Sequence, residues 1–409
     1  MPGQERSRIE SGTGFEAIEG YREDGFFAQA LGLRGVPSGA RLRQRLDELA
    51  DAEALAAIDD VNERLLARAK APITAVQTGH VPLDIDVFVM DNSETANEGM
   101  SRTYAGVDGT APIGAYLGDE GWCVGLELRE GLVHSANETD HFLEPVLPHS
   151  TRLTSAPVLV RMDAGFDAGE CFAAIERAST ARMHEGGKPI AVLVKWNPRS
   201  GGADRAIQTA LTDETLSWTQ PREGKRETVF EDTIERGGGD GEALPLRRVL
   251  RVTERTIDRH GQRLLVPAYE VHGYLTTLAA ETADAETVTG LYADHGTHEQ
   301  FHSEIKTDLD LDLERLPSGK FATNDLVLSL AGVAYNVLRL IGQNALTGDD
   351  APPRHPAKRR RLRTVIQEMM CVAAAIAHHA LQRFFVFGAH CSALSCFQRL
   401  HQQCAAPEP

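Results

Sequence analysis

A succession of apolar segments in the first half of the chain most constrains its fold. VPLDIDVFVMD (81–91) is rich in β-branched and aromatic side chains, which is typical of a buried strand. Two more apolar stretches meet around residues 118–121, and APVLVRMD (156–163) predicts a fourth strand. A helix is predicted over 168–187, and KPIAVLVKW (188–196) predicts a fifth strand. Strands in succession, followed by strand, helix and strand, predict an α/β fold with a mixed sheet covered by helices.

Five regions are predicted along the chain. Leucines and alanines at three- and four-residue spacing indicate an N-terminal helical region. Short strands with turns indicate a β-rich insertion that interrupts the core, and the basic C-terminal segment is expected to be helical. The apolar run LVLSLAGVAYNVLRLIG is read as a buried core helix, since Asn336 and Arg339 interrupt it. The boundaries are 1–75 for the N-terminal region, 76–198 and 287–345 for the two parts of the core, 199–286 for the insertion, and 346–409 for the linker and C-terminal region.

The overall charge limits how the chain can meet nucleic acid. With 42 Lys and Arg against 59 Asp and Glu, the net charge of −17 argues against a basic coat over the whole surface. Local clusters remain possible binding sites, because phosphate recognition depends on where the cations gather. AKRRRLR (357–363) and LRRVLRVTERTIDRHGQR (246–263) are two such clusters. The opening residues hold no apolar segment typical of a secretory signal, and the six cysteines form no CxxC pair, so we expect a reduced cytoplasmic protein.

Carboxylates stand at the ends of the predicted strands. Asp84, Asp86 and Asp91 lie on or just after the first strand, and Asp163 closes the fourth. A strand end holds a side chain rigidly, and Mg²⁺ or Mn²⁺ prefers oxygen ligands of this kind. Acids at such positions also serve as helix caps, so each one alone is a weak indication of a metal site.

The pentapeptide HEQFH (298–302) has the spacing of a zinc peptidase, with two histidines one helical turn apart and Glu299 as a base. Such a site needs a third protein ligand. Ile305 and Asp308 stand where the extended motif requires Gly and His, and Asp325 is the one downstream acid in reach of a second-helix type. The peptidase therefore stays a minor alternative.

A second pattern uses the same glutamate. Tyr292, His295, Glu299 and Lys306 share one face of a helix, and this spacing resembles the Y-(2)-R-(3)-E-(6)-K signature of bacterial insertion-sequence DDE transposases. EQFHSEIKTD, LERLPSGKFATND and LAGVAYNVLRLIGQ are similar to the Glu-bearing helix and following core of the group-one branch of that family. LDIDVF with the nearby NEG, and LVRMDAGFD, resemble its first and second Asp segments.

The resemblance implies a fold, a cofactor and a reaction. The fold is an RNase H-like mixed sheet with helices on both faces, interrupted by a β-rich insertion, with helical N- and C-terminal regions. The reaction is DNA cleavage and strand transfer at insertion-sequence ends, by in-line attack on phosphorus with two Mg²⁺ or Mn²⁺ ions. Asp163 and Glu299 match the second and third acids. The first is Asp86, which fits the D-x-D segment, or Asp91, which resembles a strand end followed by small polar residues.

The resemblance also implies partners. Terminal inverted repeats and target DNA would be bound by a homodimer associated with the nucleoid, away from any membrane. His295 replaces the family's Arg, which would make that phosphate contact pH-dependent. With this change and a short N-terminal region, a DNA-binding remnant that no longer cleaves is the main alternative. The expected DNA-binding residues are Tyr292, His295, Lys306, Arg359, Arg360, Arg361 and Arg363.

Overall fold

The computed structural model describes residues 14–237, 243–296, 298–309, 316–347, 349–352, 360–379 and 382–405. Its N-terminal region is helical, as predicted. The side chains of Asp24, Ser38 and Asp51 accept hydrogen bonds from backbone N–H groups and so begin its three α-helices. The elements are a 3-10 helix (Gly14–Tyr21), α1 (Gly25–Ala30), α2 (Gly39–Leu49) and α3 (Ala52–Arg68).

The core sheet follows the predicted succession of strands. β1 lies at its centre, antiparallel to β5 on one side and parallel to β7 on the other. The order β6-β5-β1-β7-β8 agrees with the RNase H-like mixed sheet, and β2, β4 and β3 form a separate small sheet. The elements are β1 (Val81–Val87), β2 (Met90–Asp91), β3 (Ser101–Arg102), β4 (Asp108–Thr110), β5 (Ile113–Leu117), β6 (Trp122–Glu127), α4 (Thr139–Arg152), β7 (Val158–Met162), a 3-10 turn (Ala164–Phe166), α5 (Gly169–His184) and β8 (Ile190–Lys195).

Helices cover both faces of this sheet, which confirms the predicted layering. β6 carries a register shift opposite Ala115 and Tyr116, so its side chains do not alternate strictly between the two faces of the sheet. Trp122 and Val124 share one apolar cluster with Phe142 of α4. Cys123 and Leu126 belong to a second cluster, formed with the long helix of the second core part.

The insertion continues the same sheet. The order β8-β12-β11-β10-β9 adds four antiparallel strands beyond the core. We expected short strands, and this was wrong: β10, β11 and β12 have 13, 15 and 14 residues. The elements are α6 (Gly202–Thr212), β9 (Thr219–Arg222), β10 (Lys225–Gly237), β11 (Ala243–Ile257) and β12 (Arg263–Thr276).

The last third of the chain completes the core and adds a C-terminal region. α9 is, among the described residues, the one helix long and apolar enough to cross a membrane, yet 56% of its most apolar window is buried in the protein. The C-terminal region has the helices expected and also a β-hairpin that we did not predict. The elements are α7 (Ala285–His295), α8 (His298–Ser303), a π turn (Glu304–Asp308), α9 (Phe321–Asn344), α10 (Leu362–Val365), a π turn (Ile366–Met370), β13 (Ala374–His379), β14 (Gln382–Phe387) and α11 (Leu394–Ala405).

A group of acids lies where the N-terminal region meets the core. Burial, together with the charges of Asp325, Asp60 and Glu127, raises the pKa of Asp59 in α3 to about 7. Burial also raises the pKa of Asp325 in α9 to about 6, although the Leu128 N–H donates to its Oδ1 at 2.8 Å. Ionised carboxylates at this junction therefore oppose the packing of α3 on the core.

Asp59→Asn is expected to stabilise the protein at pH 8 by about 2 kcal/mol and to have much less effect at pH 4. The pKa of Asp59 is raised by folding, so its favourable contribution exists below its unfolded pKa and is lost as pH rises through about 7. Urea unfolding at both pH values measures the difference. Asp60→Asn, at the exposed neighbouring position, is the matched control and should change the free energy of unfolding by less than about 0.5 kcal/mol. An equal gain from Asp59→Asn at both pH values would contradict the proposed cause.

Candidate active site

Asp86 and Asp163 lie side by side at the carboxyl-terminal ends of two neighbouring strands in the core sheet. β1 and β7 are parallel neighbours with Ile85 opposite Met162, so the next residue of each strand is one of these acids. Carboxyl ends of parallel strands meet at the same sheet edge, which is why two acids 77 positions apart come together. Both line one cavity of about 490 Å³, and Tyr104 and His134 also face it.

The two carboxylates repel each other. Burial and the negative charge of Asp86 raise the pKa of Asp163, and the backbone N–H of Gly165, which donates to Asp163 Oδ1 at 2.8 Å, only partly offsets this. A divalent cation between them would remove the repulsion, and both side chains offer the oxygen ligands that Mg²⁺ and Mn²⁺ prefer. The residues present therefore fit a metal site of the expected kind.

Glu299 lies close to Asp86, in a different cavity from Asp163. It lies on α8 and lines a second cavity, of about 400 Å³, together with Asp86, His302 and Lys306. Asp86 thus lines both cavities, with Asp163 in one and Glu299 in the other.

Two packing contacts hold α8 in this position. The Phe301 ring fills the space over Gly121, where an added Cβ would stand 2.2 Å from the ring. In the π turn that follows, fully buried Glu304 pairs with Arg339 of α9 at 3.2 Å between Oε2 and Nη1. A buried ion pair of this kind fixes geometry, because breaking it would leave a charge without a counter-ion.

Asp91 lies elsewhere. It belongs to the small sheet as part of β2, and its Oδ1 accepts hydrogen bonds from the backbone N–H and hydroxyl of Ser93 at 3.0 and 2.6 Å. It lines neither cavity. Of the two candidates for the first acid, the geometry favours Asp86.

A family model described as the transposase DDE domain matches residues 77–337, a span that contains all of these acids. The chain belongs to this family. The match covers well over half of the chain and confirms the family suggested by the motif of Tyr292, His295, Glu299 and Lys306.

Among solved structures, this DDE-domain protein resembles a piggyBac transposase in a synaptic complex with hairpin DNA, at 9% identity and a TM-score of 0.35. The alignment covers 80% of this chain and 55% of that one, so the chain spans about half the length of that transposase. A TM-score this low does not establish a shared fold. A comparison with curated proteins gave no significant match.

His295 does not take the surface position expected of a DNA contact. It is 2% exposed, and its Nδ1 lies 2.8 Å from Asp84 Oδ1. Arg161 donates to both oxygens of Asp84, at 2.6 and 2.7 Å. Burial alone would raise the pKa of Asp84, but the Arg161 charge and the His295 hydrogen bond lower it to about 2. In this DDE-domain protein His295 therefore joins α7 to β1 inside the protein.

The other motif residues lie nearer the acids. Tyr292 is half-buried against the rings of Tyr274 and His295, and burial followed by the charges of Asp163 and Asp86 raises its pKa. Lys306 lines the cavity that holds Glu299.

The C-terminal arginines are largely engaged within the protein. Arg360 pairs with Glu368 and is almost buried. Arg361 donates to both oxygens of Asp308 at 2.8 and 3.0 Å and keeps about half of its side chain exposed. Arg363 donates to the Thr307 carbonyl at 2.8 Å. Arg359 lies outside the described residues.

Half of the arginines in the other basic cluster pair with acids of the insertion itself. These acids lie on the neighbouring strands, and the pairs reduce the positive charge of this face. The pairs are Arg247 with Glu231, Arg248 with Asp232 and Arg255 with Glu270.

One further group of metal-ligating side chains occurs among the described residues. Asp60, Glu63 and His149 lie within reach of a common ion on α3 and α4. The Arg152 guanidinium, however, donates to both Glu63 oxygens at 2.6 to 3.0 Å. A cation therefore already occupies this position, and the group carries no metal site.

Sequence reasoning missed two residues at the site. Tyr104 lines both cavities, and burial with the charges of Asp86 and Asp163 raises its pKa. His302 faces Asp86 from within HEQFH. Nothing local in the sequence marked Tyr104, whereas His302 drew attention only as part of a zinc motif. With the family shown, the peptidase alternative is dropped.

Proposed function

We propose that the protein is an active DNA transposase that cleaves DNA ends and transfers them with Asp86, Asp163 and Glu299 as its catalytic acids. These carboxylates would hold two divalent ions, Mg²⁺ or Mn²⁺, which when bound activate the attacking oxygen and stabilise the leaving oxygen. The observation that carries the proposal is the position of Asp86, which borders both cavities and so lies between the other two acids. A bacterial insertion sequence as the source is part of the proposal.

DNA would approach over the rim beside Glu299. Lys306 lines the cavity there, and Arg361 and Arg363 are anchored next to it through Asp308 and Thr307 with much of their surface exposed. Cations on such a rim would position phosphates without reading sequence. Tyr292 would add a contact from the Asp163 side, whereas buried His295 would act on α7 and not on DNA.

The proposal extends to the domain organisation and the partners. Residues 76–198 and 287–345 would form the catalytic core, flanked by regions 1–75 and 346–409 and interrupted by the insertion of 199–286. Two ends must be held together for transfer, which favours a homodimer in the synaptic complex. The terminal inverted repeats and target DNA would be its partners, in the cytoplasm at the nucleoid.

Asp86→Asn is expected to abolish metal-dependent cleavage, whereas Asp91→Asn should keep it within about threefold of wild type. Removing one metal-binding carboxylate costs on the order of 10³-fold or more in rate, since the charge developing on phosphate loses its stabilisation. Asp91 is a matched control because Asn keeps the Oδ1 acceptor that Ser93 uses. The measurement is nicking of a duplex bearing the inverted repeats that flank the gene, with Mg²⁺ or Mn²⁺ and with chelator.

The same measurements distinguish an active transposase from a DNA-binding remnant that no longer cleaves. Loss of cleavage in Asp91→Asn but not in Asp86→Asn would overturn the choice of first acid. A wild-type protein that binds the repeats, never nicks them with either metal, and binds equally well as Asp86→Asn would be a DNA-binding remnant.

A further inference from the structure

His302 lines the cavity that also contains Glu299. It lies three residues after Glu299 on α8, so both side chains project from the same side of that helix. Its residue is 5% exposed, and its ring packs between Phe88 and Tyr116, at centroid distances of 4.6 and 5.1 Å. A ring held on two sides has little freedom to turn, so the direction of its nitrogens is set by packing.

The two ring nitrogens face different groups. Nδ1 lies 3.2 Å from the hydroxyl of fully buried Tyr116. Nε2 lies 4.0 Å from Asp86 Oδ2, beyond hydrogen-bond distance. Metal–nitrogen and metal–oxygen bonds are about 2.0 to 2.2 Å, so two ligands on roughly opposite sides of one ion stand about 4 Å apart. The separation of Nε2 and Oδ2 suits a shared ion.

The Tyr116 contact also suits a metal-binding histidine. Such histidines use their second ring nitrogen in a hydrogen bond that fixes tautomer and orientation. If Nδ1–H donates to the Tyr116 oxygen, the lone pair is on Nε2, the buried nitrogen that lies nearest to Asp86 Oδ2. Burial raises the pKa of Tyr116, which keeps its hydroxyl neutral.

We propose that His302 is a nitrogen ligand of the divalent ion held by Asp86, and that it makes the site favour Mn²⁺ over Mg²⁺. This rests on the proposed function, because Asp86 must be a metal-binding acid. Imidazole is a good ligand for first-row transition metals, whereas Mg²⁺ strongly prefers oxygen. A site built from carboxylates alone would discriminate less between the two ions.

The test uses the full chain loaded with Mn²⁺ and pulsed electron paramagnetic resonance, which detects a ¹⁴N nucleus bonded to the ion. Wild type is expected to show ¹⁴N modulation, and His302→Gln is expected to lose it. The affinity for Mn²⁺, measured by titration, should fall at least tenfold in His302→Gln while that for Mg²⁺ changes less than threefold. His302→Phe keeps the ring between Phe88 and Tyr116 and serves as a second variant if the first does not fold.

The matched control is His134→Gln. His134 lines the other cavity with Asp86 and Asp163, and its Nδ1 accepts the N–H of Ala136 at 3.2 Å, so it is the competing source of a nitrogen signal. The proposal requires the ¹⁴N modulation to survive in this variant. Modulation lost with His134→Gln, or kept in both His302 variants, would overturn it.

The assignment of His302 and the proposed metal site can fail separately. Mn²⁺ that binds wild type but not Asp86→Asn, without any ¹⁴N modulation, would leave the metal site standing and refute the role of His302. Mn²⁺ binding that is unchanged in Asp86→Asn would refute both.

Discussion

Asp163→Asn is expected to abolish DNA cleavage and at the same time to make the folded protein more stable. The loss of rate, on the order of 10³-fold or more, follows from removing one of the three proposed metal-binding carboxylates. The gain in stability, on the order of 1 kcal/mol, follows because burial and the Asp86 charge both oppose ionisation of Asp163. Asn keeps the oxygen that accepts the Gly165 N–H, so the turn after β7 is preserved.

The size of the stability change depends on pH, and its sign depends on bound metal. The pKa of Asp163 is raised by folding, so the penalty grows as pH rises through the folded pKa and the gain from Asn should be larger at pH 8 than at pH 4. Urea unfolding in the presence of chelator, at both pH values, measures this gain in the free energy of unfolding. Saturating Mn²⁺ should reverse the ranking, because an ion bound only to the folded wild type stabilises it.

Asp167→Asn is the matched control for this pair of effects. Asp167 lies only four residues away, and its two carboxylate oxygens accept hydrogen bonds from Arg236 Nε and Nη2 at 2.5 and 2.8 Å. Its replacement should therefore destabilise the protein. A destabilised Asp163→Asn in chelator, or one that still cleaves DNA, would refute the proposed role of Asp163.

Arg161→Met is expected to lower the free energy of unfolding by about 3 to 5 kcal/mol, because it leaves Asp84 buried without its counter-ion. Arg161 and Asp84 are 3% and 2% exposed, and the loss should be measured by urea unfolding at pH 7. Folding lowers the pKa of Asp84 to about 2, so its contribution is present above the unfolded pKa near 4 and disappears as pH falls toward 2.

Two further variants test whether the buried Arg161–Asp84 ion pair is the cause of the loss. The double variant Asp84→Asn with Arg161→Met should lose less than the sum of the single variants, since neither charge is then left alone. Arg152→Met, which breaks the half-exposed pair with Glu63, is the control and should cost about 1 kcal/mol or less. A loss of that small size in Arg161→Met would mean that water replaces the guanidinium and that the cluster does not hold β1, β7 and α7 together.

The core strands could be predicted because buried strands have a distinctive local composition. β1, β7 and β8 are short runs rich in β-branched and apolar residues, and Asp86 lies near the end of β1 while Asp163 directly follows β7. α4 left no such pattern, because Pro145 and Pro148 lie inside it and no side chain caps its start. The long strands of the insertion were read as short because arginines and acids interrupt their apolar residues, and those charges find partners only across the sheet.

The candidate site could be proposed from sequence where a motif fixed the spacing, but not where it depends on distant partners. Glu299 and Asp163 were selected from motif and strand ends alone. His295 was misplaced because its environment is created by Asp84, 211 positions away, on a strand that brings Arg161 with it. The choice between Asp86 and Asp91 likewise required the register of β1 against β7.

The length of the insertion strands has a practical consequence. β12 pairs with β8 of the core at Tyr274, Leu275 and Thr276, and the Gly273 carbonyl also accepts the Trp196 N–H. The turn between β11 and β12, closed by Asp258 and Gln262, lies about 40 Å of strand away from that junction. A dye or affinity handle attached at this turn is remote from the carboxylates yet rigidly connected to them through one continuous sheet. Fluorescence from a dye at this turn would therefore report the orientation of the whole sheet, without a label close to the carboxylates.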